Sequence, residues 1–488
     1  MIYSGKGFRD WEIGDIEVII HERIYHLFHL IIPNHDYIAH AVSDDGINWR
    51  RVKNALFVGD PGRWDDDMIW TMDVSHDGDK FIMFYTGLAL KDEGKIQRVG
   101  FAYSDDLYTW TKEDDESFLL ESKGPHYEDL QNNPRTWLSF RDPYRYVEDN
   151  DDFLLICARV SEGAIHHRGC VALAKKEGDK YMLHKPLLHP GMYDDVECPC
   201  LIKINNYYYL IGSIREDVKV RYWVSDNFEG PYRSFHSDML MPGGNYAARF
   251  VTDNGLKLLY GFYFLNKDLN YKRVLPPPKE IDIDDNGRLF MKSFRGWGKK
   301  VVKEIPQNLF PKPIRRLVNQ TAESEISDNK WTFSSISGYQ IFSFPKPSEN
   351  IQWEGKITLE GLGKCGFVLN ENGEGDAYYI SIDFVNGYVR IRTWGFNEAD
   401  MSEDFVFKKL QSNLFKVNEQ RSHNFCLIYY GNYIELSIDG AVKLTLVDES
   451  LKYNNIGFYV ASAKIAVENS TLKVLEDIKS SYTDILMH

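Results

Sequence analysis

The sequence predicts an all-β chain, a five-bladed β-propeller followed by a C-terminal β-sandwich. Three observations lead there. Aromatic residues make up 14% of the 488 positions, with 30 Tyr and 11 Trp, a composition that favours strands over helical bundles. A polar turn followed by an aromatic-rich strand recurs with starts at residues 22, 79, 151, 205 and 254, so successive starts lie 57, 72, 54 and 49 residues apart. Periods near 50 residues, each about four strands long, are the signature of propeller blades. Beyond residue 326 the repeat gives way to plain period-two alternation, the pattern of half-buried strands in a two-sheet sandwich. A β-sandwich built of hairpins is the alternative for the first part, but it would not explain why the five units resemble one another.

Taken in order, the units open with Glu22-Arg23-Ile24-Tyr25, Asp79-Lys80-Phe81-Ile82, Asp151-Asp152-Phe153-Leu154, Asn205-Asn206-Tyr207-Tyr208 and Asn254-Gly255-Leu256-Lys257. A second element follows the first. Ala41-Val42-Ser43-Asp44-Asp45 ending at Trp49 is echoed by Ala102-Tyr103-Ser104-Asp105-Asp106 ending at Trp110, and a reduced copy, Val224-Ser225-Asp226-Asn227, follows the fourth unit. Trp49 and Trp110 recur with the repeat and read as blade packing. The run Leu275-Pro276-Pro277-Pro278 cannot lie inside a central strand, because proline donates no ladder hydrogen bond, so it leads into a closing hairpin over 280–290 with Asn286-Gly287 as its turn. These readings divide the chain into a propeller over 1–298, a polar linker over 299–325 carrying Pro306, Pro311 and Pro313, and a sandwich over 326–488. The sandwich reads as a structural buttress, with a sugar-binding module as the second reading.

The net charge of −15 argues against nucleic acid, whose phosphates would meet repulsion. The six cysteines are sparse, and Cys198-x-Cys200 is too tight for a zinc knuckle and lacks a second pair, so buried free thiols are expected. The first residues, Met1-Ile2-Tyr3-Ser4-Gly5-Lys6, show no apolar leader core, and no run of about 18 apolar residues occurs. The expected location is cytoplasmic, or secreted if a leader has been removed, with no membrane partner. The pattern implies no cofactor and no metal; oligomeric state is not readable.

The stretch Leu138-Ser139-Phe140-Arg141-Asp142-Pro143 sets a planar donor fork beside a carboxylate on a stiff turn, which suits gripping vicinal hydroxyls. Gly14-Asp15-Ile16-Glu17 lies upstream and Asp194-Asp195-Val196-Glu197-Cys198-Pro199 downstream, each placing a carboxylate at the start of a β-prone run. In a propeller the first strand of each blade lines the central funnel, so Asp15, Asp142 and Glu197 would converge on one pocket although far apart in sequence. Crowded acids in a pocket raise at least one pKa, which supplies a proton donor beside a charged carboxylate, the pair that glycosidic bond cleavage needs. Glu17 shares a strand face with Asp15 and is its rival for the charged role. Trp70 and Asp73 open the second blade, and Tyr246 and Arg249 open the fifth, as candidate sugar contacts.

Phe140-Arg141-Asp142-Pro143 followed one blade later by Glu197-Cys198-Pro199 resembles glycoside hydrolase family 32, the β-fructofuranosidase, invertase and inulinase group. The segment from Arg273 through Leu275-Pro276-Pro277-Pro278 to Ile281, with Asn286-Gly287-Arg288-Leu289 after it, looks like the place where those propellers close, and a C-terminal β-sandwich also matches the family's layout, so the resemblance covers nearly the whole chain. It implies retaining cleavage of terminal β-fructofuranosyl units from oligo- or polysaccharides, with Asp15 as nucleophile, Glu197 as acid and then base, Asp142 stabilising the transition state and Arg141 on the sugar hydroxyls. The departure is at the nucleophile. The family's Trp-Met-Asn-Asp-Pro-Asn-Gly block is replaced by Gly14-Asp15-Ile16-Glu17-Val18, which removes an asparagine expected to touch the sugar. Two alternatives follow: an inverting arabinofuranosidase-type hydrolase on the same propeller, or a carbohydrate-binding protein that has lost catalysis.

Overall fold

A computed structural model describes residues 2–5, 12–131, 133, 135–253, 255–267, 270–395 and 408–478; Asn254, which opens the fifth repeat, and the outermost ends of the two expected domains lie outside the described residues. Five separate antiparallel sheets of four or five strands follow one another in chain order, and a 13-stranded sheet succeeds them. Their innermost strands are Glu12–His21, Met68–Asp77, Phe140–Glu148, Glu197–Ile204 and Asn245–Asp253. Each innermost strand touches the next and the fifth touches the first, which closes the ring of a five-bladed propeller. The repeat read from the sequence marks the second strand of each blade, as at Lys80–Leu88 and Asp151–Arg159.

Apolar side chains between neighbouring blades hold the ring. Phe28, Leu30 and Ile38 of blade one pack on Met72, Met83 and Tyr85 of blade two. Ile82 and Phe84 meet Phe140, Leu154 and Ile156 of blade three, and Leu155 and Val171 meet Leu201 and Leu210 of blade four. Blades five and one are fastened by polar contacts as well: Tyr25 O–H donates to Asp253 Oδ2 (2.9 Å), the Arg273 N–H donates to Glu12 Oε2 (3.0 Å), and the Leu275 N–H donates to Tyr3 O (2.8 Å). The repeated Ser-Asp-Asp is one turn used twice. Asp45 Oδ1 accepts the Ile47 and Asn48 N–H groups, and Asp106 Oδ1 accepts those of Tyr108 and Thr109, the local bonding that lets aspartate substitute for a backbone turn. The following Trp49 and Trp110 pack edge-on against Tyr25 and Phe28.

Contacts divide the chain into two compact units, chiefly Tyr3–Ile281 and Phe290–Lys479, so the division falls ahead of residue 298. The stretch 299–325 differs from the expected linker. Val301–Pro306 pairs with the end of the long strand Asn455–Leu475, and Ala322–Ile326 pairs with Lys330–Pro345. These are mostly exposed edge segments, which tolerate proline at a strand end and carry the polar composition of a linker. Within the second unit the 21-residue strand Asn455–Leu475 passes from one layer of the sandwich to the other, pairing with Lys364–Glu371 through its first part and with Asn350–Glu360 through its second. The interlayer core is aromatic: Trp353 packs on Phe458 at 4.8 Å and Phe367 on Phe425 at 4.9 Å.

Candidate active site

All five innermost strands carry a β-bulge at the same height. The register slips between Ile13 and Ile16, Trp70 and Met72, Arg141 and Tyr144, Glu197 and Cys200, and Tyr246 and Arg249. A bulge puts one extra residue opposite its partner strand and re-aims the side chains on either side of it. At three of the bulges a residue other than glycine takes left-handed backbone: Asp142 (φ 60°), Cys198 (φ 47°) and Ala247 (φ 48°). Such strain gathers where surrounding structure holds a side chain for use. In blade one the slack is taken by Gly14, where a β-carbon would come within 2.8 Å of Leu30 Cβ.

Read around the ring, the bulges bring polar side chains of separate blades together. Just before them stand Trp70, Arg141, Glu197 and Tyr246; at them stand Asp15, Thr71, Asp142 and Cys198. The oxygens of Asp15 and Asp142 and the sulfur of Cys198 lie within 4.8 Å of one another. Thr71 O–H donates to Asp15 Oδ2. Asp142 Oδ2 accepts the Cys198 N–H (2.9 Å), and the Asp142 N–H donates to Thr86 Oγ1 (3.2 Å). Glu197 is held at both oxygens: Arg141 Nη2 donates to Oε1 at 2.6 Å and Tyr246 O–H donates to Oε2. Arg141 is itself positioned by Ser139 Oγ (2.5 Å) and Asp195 (3.2 Å), and Asp195 is pinned by Arg159 (2.9 Å) and Ser139 (2.9 Å).

The electrostatics follow from this crowding. Burial raises the pKa of Asp15, and the nearby Glu197 raises it further, while the Thr71 hydroxyl pulls it back. Burial also raises Asp142, opposed by Arg141 beside it and reinforced by Asp15. Burial pushes the Cys198 thiol well up. The arrangement suits acid and base work on a ligand held among the three blades: one carboxylate beside a hydroxyl donor, a second clamped between a guanidinium and a phenol, a third fixed by backbone.

Three residues read from the sequence as pocket candidates stand elsewhere. Two positions beyond each bulge lies a second ring, Glu17, Asp73, Tyr144, Cys200 and Arg249. Glu17, Asp73 and Arg249 are buried at 3, 3 and 1% exposure. Arg249 Nε pairs with Glu17 Oε2 at 3.2 Å, its guanidinium lies 5.6 Å from the Tyr144 ring, and its Nη1 donates to Pro199 O at 2.7 Å. Glu17 thus pairs with Arg249 rather than meeting Asp142 as Asp15 does, and Asp73 and Arg249, expected as sugar contacts, lie buried beside it. The reason is depth. Two residues along a strand keep the same face but move about 6–7 Å down the funnel axis. Trp70 and Tyr246 do sit at pocket height, Trp70 half-buried against His35 at 5.5 Å. Thr71, Ser139 and Asp195 were not singled out by sequence reasoning. Asp195 lay inside the quoted acidic motif, but nothing in the sequence separates a positioning carboxylate from a reacting one.

The model of the glycosyl hydrolases family 32 N-terminal domain matches residues 15–276. An insoluble β-fructofuranosidase isoenzyme of Arabidopsis thaliana is 26% identical over 148 residues, 28% of this chain and 24% of that enzyme's length. Among solved structures, fructan 1-exohydrolase IIa from Cichorium intybus is similar with TM-score 0.72 and 12% identity, over 98% of this chain and 97% of that one. Sucrose-6-phosphate hydrolase from Lactobacillus gasseri is similar with TM-score 0.69 and 16% identity, over 98% and 93%. At these identities the two structures speak to the fold.

Proposed function

Since the chain belongs to glycosyl hydrolase family 32, we propose that it is a retaining glycoside hydrolase releasing terminal β-fructofuranosyl units from oligo- or polysaccharides. The observation that carries the reading is the convergence of Asp15, Asp142 and Glu197 from blades one, three and four, with Asp15 facing its partners and held by Thr71. A binding protein that had lost catalysis would have no need of that carboxylate in that place. Relatives in the same fold have been captured with sugars, a chicory exohydrolase variant with 1-kestose and a silkworm β-fructofuranosidase variant with sucrose.

In the mechanism, Glu197 gives its proton to the glycosidic oxygen as Asp15 attacks the anomeric carbon, so the old C–O bond breaks and a fructosyl ester forms on Asp15. The leaving group departs as an alcohol. Glu197, now a carboxylate, takes a proton from water, whose oxygen attacks the same carbon and frees Asp15. Asp142 and Arg141 bind ring hydroxyls and meet the positive charge that builds on the ring in both steps. Arg141 and Tyr246 fix the carboxyl of Glu197, so little reorganisation is needed when the proton moves. Retention requires the Asp15 and Glu197 carboxyls to stand about 5–5.5 Å apart across the sugar.

The test is sugar release from sucrose, 1-kestose, inulin and levan beside arabinofuranosides, for the natural protein, Asp15→Asn and Glu197→Gln. Fructose release with retained configuration, lowered roughly 10⁴-fold or more by either change, is expected. Release from arabinofuranosides alone, or inversion, would replace the reading with the inverting hydrolase.

A further inference from the structure

The sandwich carries a second concave site of its own. Strands Tyr388–Trp394, Ala377–Asp383, Lys364–Glu371 and the first part of Asn455–Leu475 lie side by side, and their residues alternate between two faces. One set, with Ile391, Ile380, Phe367 and Phe458, is fully buried. The other set lines a cavity of about 490 Å³ and includes Trp394, Tyr379 and Tyr459, joined there by Tyr339 of the strand Lys330–Pro345. That size is in the range of small-molecule and sugar sites.

The three tyrosines form a triangle, Tyr379 to Tyr459 at 5.5 Å, Tyr459 to Tyr339 at 5.4 Å and Tyr339 to Tyr379 at 5.9 Å, and Trp394 stands 6.2 Å from Tyr379. Two of them are fixed through their hydroxyls. Tyr379 O–H donates to Gly375 O and Tyr459 O–H to Ser381 Oγ, both at 2.6 Å. Gly366 stands between Ser381 and Tyr459 in the ladder, so no side chain interrupts that reach. Trp394, beside Tyr379, is 47% exposed at the end of its strand, with its ring toward the cavity. Around the rings stand two cations, Lys364 and Arg392, and two anions, Glu374 and Asp376.

This combination selects a ligand class. Trp394 and the half-buried Tyr339 offer apolar ring surface backed by the buried Tyr379 and Tyr459, and flanking charged groups offer donors and acceptors. The charges cancel, which disfavours an anion or a cation and favours a neutral molecule rich in hydroxyls with apolar C–H faces. We propose that this face of the sandwich binds a neutral oligosaccharide chain, as a site separate from the propeller pocket.

The experiment is affinity electrophoresis of the full chain through gels holding inulin, levan, a neutral β-glucan or xylan. It is run in a Glu197→Gln background so that polymer is not digested, with and without Trp394→Ala and, separately, Arg392→Gln. Retardation by at least one polymer, weakened about tenfold by each sandwich substitution, is the expected result. In the otherwise natural protein, Trp394→Ala should leave turnover of 1-kestose within about twofold. Absence of retardation by all four polymers overturns the proposal, as does retardation that both substitutions leave unchanged. Melting temperatures matched to the parent establish that the variants are folded. Because retardation requires no turnover, its outcome is independent of whether the propeller cleaves fructosides.

Discussion

Two rings of side chains hang from the same five strands, two residues apart, and they have opposite fates. The upper ring, with Asp15, Thr71, Asp142 and Cys198, faces the pocket. The lower comprises Glu17, Asp73, Tyr144, Cys200 and Arg249; its two carboxylates and Arg249 are buried, and the guanidinium that pairs with Glu17 also favours the charged form of Asp15. Both contain carboxylates raised by burial. The rings differ in exposure and in partner: Asp15 is half-buried and takes the Thr71 hydroxyl, whereas Glu17 is 3% exposed and pairs with the Arg249 guanidinium. Acidity alone therefore does not mark a reacting group in this funnel. Access and the kind of partner do.

The largest test of that contrast is Arg249→Met. Removing the guanidinium that pairs with buried Glu17 leaves a carboxylate uncompensated, at a cost of about 3–5 kcal/mol, read as a lowered midpoint in chemical denaturation. If stability held and kcat/KM collapsed instead, Arg249 would belong to the pocket after all. A smaller effect is expected of Asp73→Asn. Burial pushes Asp73 up to about 6. The folded chain therefore keeps a proton that the unfolded chain releases near pH 4, so stability falls as pH rises from about 4 to about 6, by roughly 2–3 kcal/mol. The asparagine variant should lack this decline; an unchanged stability profile would mean that Asp73 is not sealed. The smallest is Thr71→Val in the upper ring. Its hydroxyl favours the charged form of Asp15, so its loss raises Asp15 further and moves the acid limb of kcat/KM to higher pH. A loss of about five- to tenfold near neutrality should accompany the shift, equivalent to one hydrogen bond. An acid limb that stays in place would detach Asp15 from the rate.

Much of this was legible in the sequence. The aromatic strand repeat marked the second strand of every blade, and the Arg141-Asp142-Pro143 and Glu197-Cys198-Pro199 motifs marked two of the bulges. What was hidden was distance along the funnel axis. Asp15 and Glu17 share a face, as do Thr71 and Asp73, and periodicity reports faces without reporting depth. The bulges escaped for a related reason. A one-residue insertion between Arg141 and Tyr144 leaves no mark in composition, and only Pro143 and Pro199 hint that the ladder is broken there. The segment 299–325 misled because an exposed edge strand and a linker have the same polar text.

The repeated bulge also has a consequence for how this pocket can change. At each of the five positions one residue is released from strand pairing while the ladder closes on either side of it, and contacts across the funnel hold it instead, as Thr71 does Asp15 and the Cys198 amide does Asp142. The funnel mouth is then a set of five sockets on a common frame, each free to differ in the residue that supplies the bend. Blade one shows the freedom in use: Gly14 supplies the slack in place of a longer motif, and the carboxylate of Asp15 still arrives beside Asp142.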